Sequence, residues 1–441
     1  MKNNRYLLNW IKTNKKILPI KEKWYILNWL LQGKEKEDVP ILPEGYQEVE
    51  YIQSTGTESI DTGVKASNNI KIEIEVDRPA PPANGTLWVP FGSLNDSTNG
   101  QYRLFSSTNG QGVKYIALLY GKTSSSTTIQ NITTGFEKSK IILENGTASL
   151  DNGEKEIISS QADTEFTTNN NICLFSVIGN SATYTNVRIY TCKIWDNGVL
   201  VRNLIPCYKK ENDEIGLYDL VNDTFYSNAG TGTFTKGKDI VYETEIQQVE
   251  YIEGTGTQYI DTNFKPNNNS KIKYKMYLET VPARQVKCLF GCRKSNNSDL
   301  FACFYVANNT VTVGRMRLDY GSATTGNAGH YYPNTSDNTL YNIELDKNKG
   351  IMNGESYTFG ENEFQSEYNM LLLSCNTDGV AETRIPSAKI YYSKIYDNGT
   401  LVRDLIPCYR KSDSVIGLYD KVNKILYTNA GTGTFTKGED I

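Results

Sequence analysis

Between Ile70 and Val76 the apolar residues Ile70, Ile72, Ile74 and Val76 alternate with Lys71, Glu73 and Glu75, and Asp77 continues the charged series. A period of two puts every apolar side chain on one face of an extended chain, which predicts a strand with one buried and one wetted face. Ile272, Tyr274, Met276 and Leu278 repeat the apolar series against Lys271, Lys273 and Lys275, so the buried face is kept while the outer face changes sign. Residues 141–143, 148–150 and 155–157 predict further strands, separated by Asn145-Gly146 and Asn152-Gly153, dipeptides that supply the positive φ angles of tight hairpins. Residues 341–345, 350–352 and 357–359 follow the same plan, with Asn353-Gly354 at the second turn. Apolar runs at 172–177 and 187–195 then lead into Asp196-Asn197-Gly198, matched by 370–375, 388–396 and Asp397-Asn398-Gly399.

The correspondence is a duplication. Residues 194–240 return as 395–441 without a gap, identical at 33 of 47 positions, and Val49-Glu50-Tyr51-Ile52 with Thr55-Gly56-Thr57 and Ile60-Asp61-Thr62 returns from Val249 onward. Two landmarks near opposite ends of a unit, shifted almost equally, mean that one domain of about 200 residues occurs twice. The predicted boundaries are 1–40 for an N-terminal segment, 41–241 for the first repeat and 242–441 for the second.

The N-terminal segment has a different period. Leu7, Trp10 and Ile11 fall on one helical stripe and Ile26, Trp29 and Leu30 on another, with Pro19 between them. Helices this short are marginal alone in water, so the stripes require a partner. The candidates are the first repeat itself, a sister subunit or a larger assembly, with a membrane surface ranked last. These six residues are the predicted anchor, and residues 33–44, with a charge run and two prolines, are a linker.

Thirty Tyr and 35 Gly against five Met favour strands and turns. The predicted class is all-β, two tandem antiparallel jelly-roll sandwiches behind a short α-helical segment. The net charge is −4, yet residues 1–38 carry nine Lys/Arg and four Asp/Glu, leaving the repeats mildly acidic and poorly suited to nucleic acid. No stretch approaches the roughly 20 apolar residues of a membrane span, and no signal peptide is evident. Of eight cysteines only Cys207 and Cys408 match between copies; Cys173, Cys288 and Cys375 stand opposite Leu371, Val89 and Val177, as buried apolar thiols would. That usage predicts free thiols in a chain made in a reducing cytoplasm.

Several runs carry a resemblance. The strand, Asn-Gly turn, strand, Asn-Gly turn, strand series, followed by Val187-Arg188-Ile189-Tyr190 and Trp195-Asp196-Asn197-Gly198, resembles the centre of laminin-G-like, concanavalin-A-like jelly-roll domains. Ala388-Lys389-Ile390 and Lys394-Ile395-Tyr396 match that family's strand before its hairpin. Tyr51-Ile52, Ile60-Asp61-Thr62-Gly63, Leu204-Ile205-Pro206-Cys207 and Gly216-Leu217-Tyr218-Asp219 look like the version found in bacteriophage virion proteins. The resemblance spans about 41–441. It implies a surface-displayed fibre or decoration component, localised to the virion, that recognises host-surface polysaccharide; the N-terminal stripes add the expectation of docking to other virion proteins and of a homo-oligomer. Calcium is frequent in such domains, but no Asp/Asn cluster maps onto a calcium site, so no metal or cofactor is assigned.

The enzymatic alternative rests on Glu73-Ile74-Glu75-Val76-Asp77, which resembles the carboxylate strand of laminarinase-type glycosidases. The order of carboxylates differs and the second copy reads Lys273-Tyr274-Lys275, so a solvated outer face is expected and no catalytic residue is assigned. The lone histidine, His330, is expected in a surface loop. Asp61/Asp261, Arg202/Arg403 and Asp219/Asp420 occur in both copies and are candidates for a shared binding site, but their place beside Gly and Pro turn residues fits an internal salt bridge or turn cap better. Specificity is expected where the copies differ, in loops around Trp88, 122–135, 296–300 and 321–338, with Trp88, Tyr331 and Tyr332 as glycan-stacking candidates. A bacterial surface lectin is the remaining alternative.

Overall fold

In the computed structural model the described residues are 42–77, 87–94, 100–108, 114–122, 127–130, 138–151, 155–159, 165–177, 183–295, 298–307, 314–322 and 329–441. The predicted anchor residues Leu7, Trp10, Ile11, Ile26, Trp29 and Leu30 lie outside them. The chain divides into compact units at Leu42–Ile240 and Val241–Ile441.

Each unit is a β-sandwich built of the same two sheets. In the first, the larger sheet has the order Lys155–Ser159, Thr147–Asp151, Ser139–Glu144, Ile70–Asp77, Arg188–Asp196, Val199–Lys209, Ile215–Asp219 and Thr224–Tyr226. The smaller has the order Ile60–Ser67, Thr167–Leu174, Trp88–Leu94, Gln101–Thr108, Lys114–Gly121 and Thr127–Gln130. The second unit repeats the larger sheet as Glu355–Thr358, Lys349–Met352, Thr339–Asp346, Lys271–Leu278, Ser387–Asp397, Thr400–Arg410, Ile416–Asp420 and Ile425–Thr428. Its smaller sheet runs Ile260–Asp261, Leu371–Leu372, Val286–Arg293, Leu300–Val306, Arg315–Gly321 and Gly329–Tyr332. Among the described residues the fold is all-β and antiparallel, apart from one parallel pairing of Val286–Arg293 with Asn376–Thr377.

The alternation seen in the sequence decides which faces meet. Ile70, Ile72, Ile74 and Val76 are fully or almost fully buried, and they pack in one core with Tyr102, Leu104, Ile116 and Leu118 of the facing sheet. Ile272, Tyr274 and Met276 do the same in the second unit, where Tyr274 meets Phe290 edge-on at 5.8 Å and Phe290 meets Phe301 at 6.4 Å. Each such side chain contributes about 1.5–3 kcal/mol of transfer free energy. The Asn-Gly turns hold the expected left-handed pairs, φ 48° and 76° at Asn197-Gly198 and 46° and 82° at Asn398-Gly399.

Even irregularities are duplicated. A bulge adds Tyr190 to one strand and Tyr391 to its equivalent, and each turns onto the tyrosine of the short neighbouring strand region, Tyr51 at 5.3 Å and Tyr251 at 5.7 Å. The apolar runs at 172–177 and 370–375 are not continuous strands as expected. Phe175 (φ 65°) and Leu373 (φ 64°) turn left-handed and break the ladder, each donating its N–H instead to the strand beside it, to Pro90 O at 2.8 Å and Leu289 O at 2.7 Å.

Candidate functional site

The polar residues present in both copies are framework. Asp219 is fully buried, and one carboxylate oxygen accepts the N–H groups of Asn203 (2.9 Å) and Val221 (3.0 Å) while the other accepts Asn222 Nδ2 (2.7 Å) and faces Arg202 Nε at 3.7 Å. Asp420 reproduces this with Asp404 N, Val422 N, Asn423 Nδ2 and Arg403 Nε at 2.9, 3.1, 2.8 and 3.6 Å. Both arginines donate on to the backbone oxygens of Thr62 and Thr262, tying the two sheets together. Asp61 and Asp261 cap the following turn, accepting Gly63 N and Asn263 N at 2.8 Å. These groups serve folding in both units, as an internal salt bridge and turn caps should.

The charge reversal on the long strand is likewise compensated within each sheet. Glu73 and Glu75 pair with Lys140 (2.8 Å) and Lys138 (3.2 Å), whereas Lys271 pairs with both Glu344 and Asp346 at 2.7 Å. These partly exposed carboxylates, each paired with a lysine, lie on a solvated outer face.

The copies diverge on the outward face of the smaller sheet. Strand register places Arg317 opposite Phe304 and Tyr331, and Asp319 opposite Ala302 and Gly329. In the first unit the equivalent positions are Ala117 and Leu119, both buried, so a polar pair in one copy replaces an apolar pair in the other. Arg317 Nε donates to Asp319 at 2.6 Å, and its guanidinium lies 5.2 Å from the Tyr331 ring and reaches the phenol oxygen at 3.3 Å. Small floor residues allow this: a Cβ on Gly329 would stand 2.4 Å from Arg317 and 2.5 Å from Asp319. Burial pushes the Asp319 carboxyl up, overcoming the pull of Arg317 and Arg293.

Arg293, Glu382 and Arg384 continue this face. Arg293 Nη2 meets Glu382 at 2.5 Å, Arg293 Nε donates to Thr377 Oγ1 at 2.9 Å, and Arg384 Nε donates to Glu382 at 2.7 Å. Both guanidiniums lie over the Phe304 ring, at 5.3 and 5.6 Å. Burial acts to raise the Glu382 carboxyl, but the Thr377 hydroxyl and the two guanidiniums outweigh it and hold the group below its ordinary range. The face therefore offers guanidinium donors and one partly exposed ring, which can hydrogen-bond and stack on a ligand.

Of the glycan-stacking candidates only Tyr331 is available, at 41% exposure. Trp88 is 3% exposed and Tyr332 fully buried, and neither can meet a sugar. Trp88 belongs to the first unit's core, and Tyr332 points to the opposite side of its strand from Tyr331, into the sandwich. His330 is in that same strand rather than a loop, stacked on Tyr357 at 3.8 Å. The proposed specificity loops 122–135, 296–300 and 321–338 lie partly outside the described residues. Sequence reasoning missed Arg293, Arg317, Asp319, Glu382 and Arg384. The signal for two of them was present: Arg315-Met316-Arg317-Leu318-Asp319-Tyr320 alternates, and set against Tyr115-Ile116-Ala117-Leu118-Leu119-Tyr120 it differs at the outward positions.

Among the described residues no group of three or more His, Cys, Asp or Glu is arranged to hold a metal ion, and no helix is long and apolar enough to cross a membrane. No protein-family model matches the chain, and no curated protein matches it. Among solved structures it is similar to the mouse laminin α1 chain, domains LG4-5, with 10% identity over 83% of this chain and 93% of that one and a TM-score of 0.27. The fold rests on strand order and register, not on that likeness.

Proposed function

We propose that this protein is a non-enzymatic binding and display protein, a surface component of a bacteriophage virion such as a fibre or decoration protein, whose β-sandwich units contact host-surface glycans. The observation that carries the binding reading is the contrast between copies. The Arg–Asp framework is held atom for atom, while the outward face of the smaller sheet changes from Ala117 and Leu119 to Arg317 and Asp319. A duplicated scaffold with one altered face suits ligand recognition, and two units per chain, multiplied by oligomerisation through the N-terminal segment, turn weak contacts into avidity. The virion assignment rests on the sequence resemblance alone.

Two experiments test the reading. Multivalent display of the whole chain on a glycan array is expected to give binding to host-surface polysaccharide that Tyr331→Ala weakens; absence of any such binding removes the adhesin role and leaves an architectural one. Mass spectrometry of purified particles is expected to find the chain in the virion. Release of reducing ends from host polysaccharide, lost in Glu73→Gln or Glu75→Gln, would instead establish a depolymerase.

A further inference from the structure

After Leu373 the chain leaves the smaller sheet of the second unit and folds back along it. Asn376–Thr377 runs parallel to Cys292–Arg293, Val380–Ala381 returns antiparallel to it, and Arg384 O accepts the N–H of Cys288 at 2.8 Å. This hairpin carries Cys375 onto Cys288. The two thiols are side-chain neighbours, both fully buried, in one apolar cluster with Ala302 and Phe304. The equivalent positions in the first unit, Val89 and Val177, are buried too, so the packing there needs only two compact apolar side chains. Cys292 is nearby, but its sulfur is directed at Ser366 Oγ, 3.4 Å away.

We propose that Cys288 and Cys375 are an oxidisable pair that closes to an intrachain disulfide when the protein meets a small-molecule disulfide, fastening the 374–385 hairpin to the sheet. The Cys375 thiolate attacks the reagent, forming a mixed disulfide and expelling one thiol. The Cys288 thiolate then attacks the Cys375 sulfur and expels the second. Two S–H bonds are lost, one S–S bond forms, and the reagent is reduced to two thiols. Burial holds the Cys288 thiol well above its ordinary range, so closure waits on opening of the hairpin. That hairpin has strands of only two residues and an exposed tip at Val380. Once closed, the bond encloses the 86 residues between its ends and removes that opening.

The test uses the full chain, incubated with oxidised glutathione at neutral pH, alkylated, digested and mapped by mass spectrometry. Cys288→Val and Cys375→Val borrow the first unit's residues, and Cys292→Ser borrows Ser93, so all three variants are expected to fold. The expected result is a linked peptide pair containing residues 288 and 375, absent from both valine variants and retained in Cys292→Ser. Proteolytic cleavage within the hairpin is expected to slow by about tenfold or more on oxidation, because local opening is suppressed. Recovery of all three thiols unlinked from folded chain, or a link that requires Cys292, overturns the proposal.

Discussion

Glu58 gives the most direct test of how the first unit is held together. It is fully buried and, among the described residues, its carboxylate meets no cation; it accepts Ser54 Oγ (2.9 Å), Thr55 N (2.8 Å), Thr55 Oγ1 (2.9 Å) and Thr57 N (3.2 Å). Burial acts to raise this carboxyl, but those four donors prevail and bring it down to about 2 from 4.5. Taken in full, that difference is worth about 3 kcal/mol at neutral pH. Thr55 and Thr57 in the covering turn are exposed, and solvent screening through so thin a cover reduces it to about 2 kcal/mol. Because the folded value is depressed, the stabilisation is complete above pH 4.5 and fades as pH falls towards 2. The second unit has Gln258 here, accepting Thr255 N at 2.8 Å and donating to Thr434 O at 3.0 Å, so Glu58→Gln keeps a workable geometry. We expect it to cost about 1 kcal/mol at pH 7 and to abolish this contribution to acid sensitivity. Urea unfolding followed by tryptophan emission, at intervals from pH 7 to 2.5 and with Trp10, Trp24 and Trp29 replaced by Phe, reads the first unit selectively, since the remaining tryptophans are Trp88 and Trp195. Parallel pH profiles for wild type and variant would refute the reasoning.

Asp219→Ala and Asp420→Ala should each destabilise their own unit by about 3 kcal/mol, because each takes the carboxylate from a partly buried guanidinium and leaves two backbone N–H groups without their acceptor; unequal losses in urea unfolding of the two units would show that the frameworks are not equivalent. Gly216→Ala places a Cβ 2.3 Å from Tyr226 O and should cost about 2–3 kcal/mol, whereas Gly198→Ala meets nothing within 4 Å at φ 76° and should cost about 1 kcal/mol; thermal melts giving the reverse order would contradict the packing described. Glu73→Gln removes a partly exposed ion pair and should change stability by less than about 1 kcal/mol in the same melts.

What could be read from the chain follows from short-range physics. The period-two alternation at Ile70–Asp77 specifies a one-faced strand because adjacent side chains on a pleat must point oppositely. Asn197-Gly198 specifies a hairpin because few other dipeptides accept two positive φ angles. The duplication needs no geometry at all, and it singled out Asp219 and Asp420, as framework in preference to a shared binding site, before their partners were known. Trp88, Tyr331 and Tyr332 show where that reasoning ends, since an aromatic residue near a loop looks the same in sequence whether it faces solvent or core. Sequence by itself determined the class of fold, its repetition and the residues that hold each copy together. Only the tertiary structure decided which side chains share the altered face: Arg293, Arg317, Asp319 and Glu382 span some 90 residues of chain, and cross-strand register, set by the packing of the opposite face, is what brings them together.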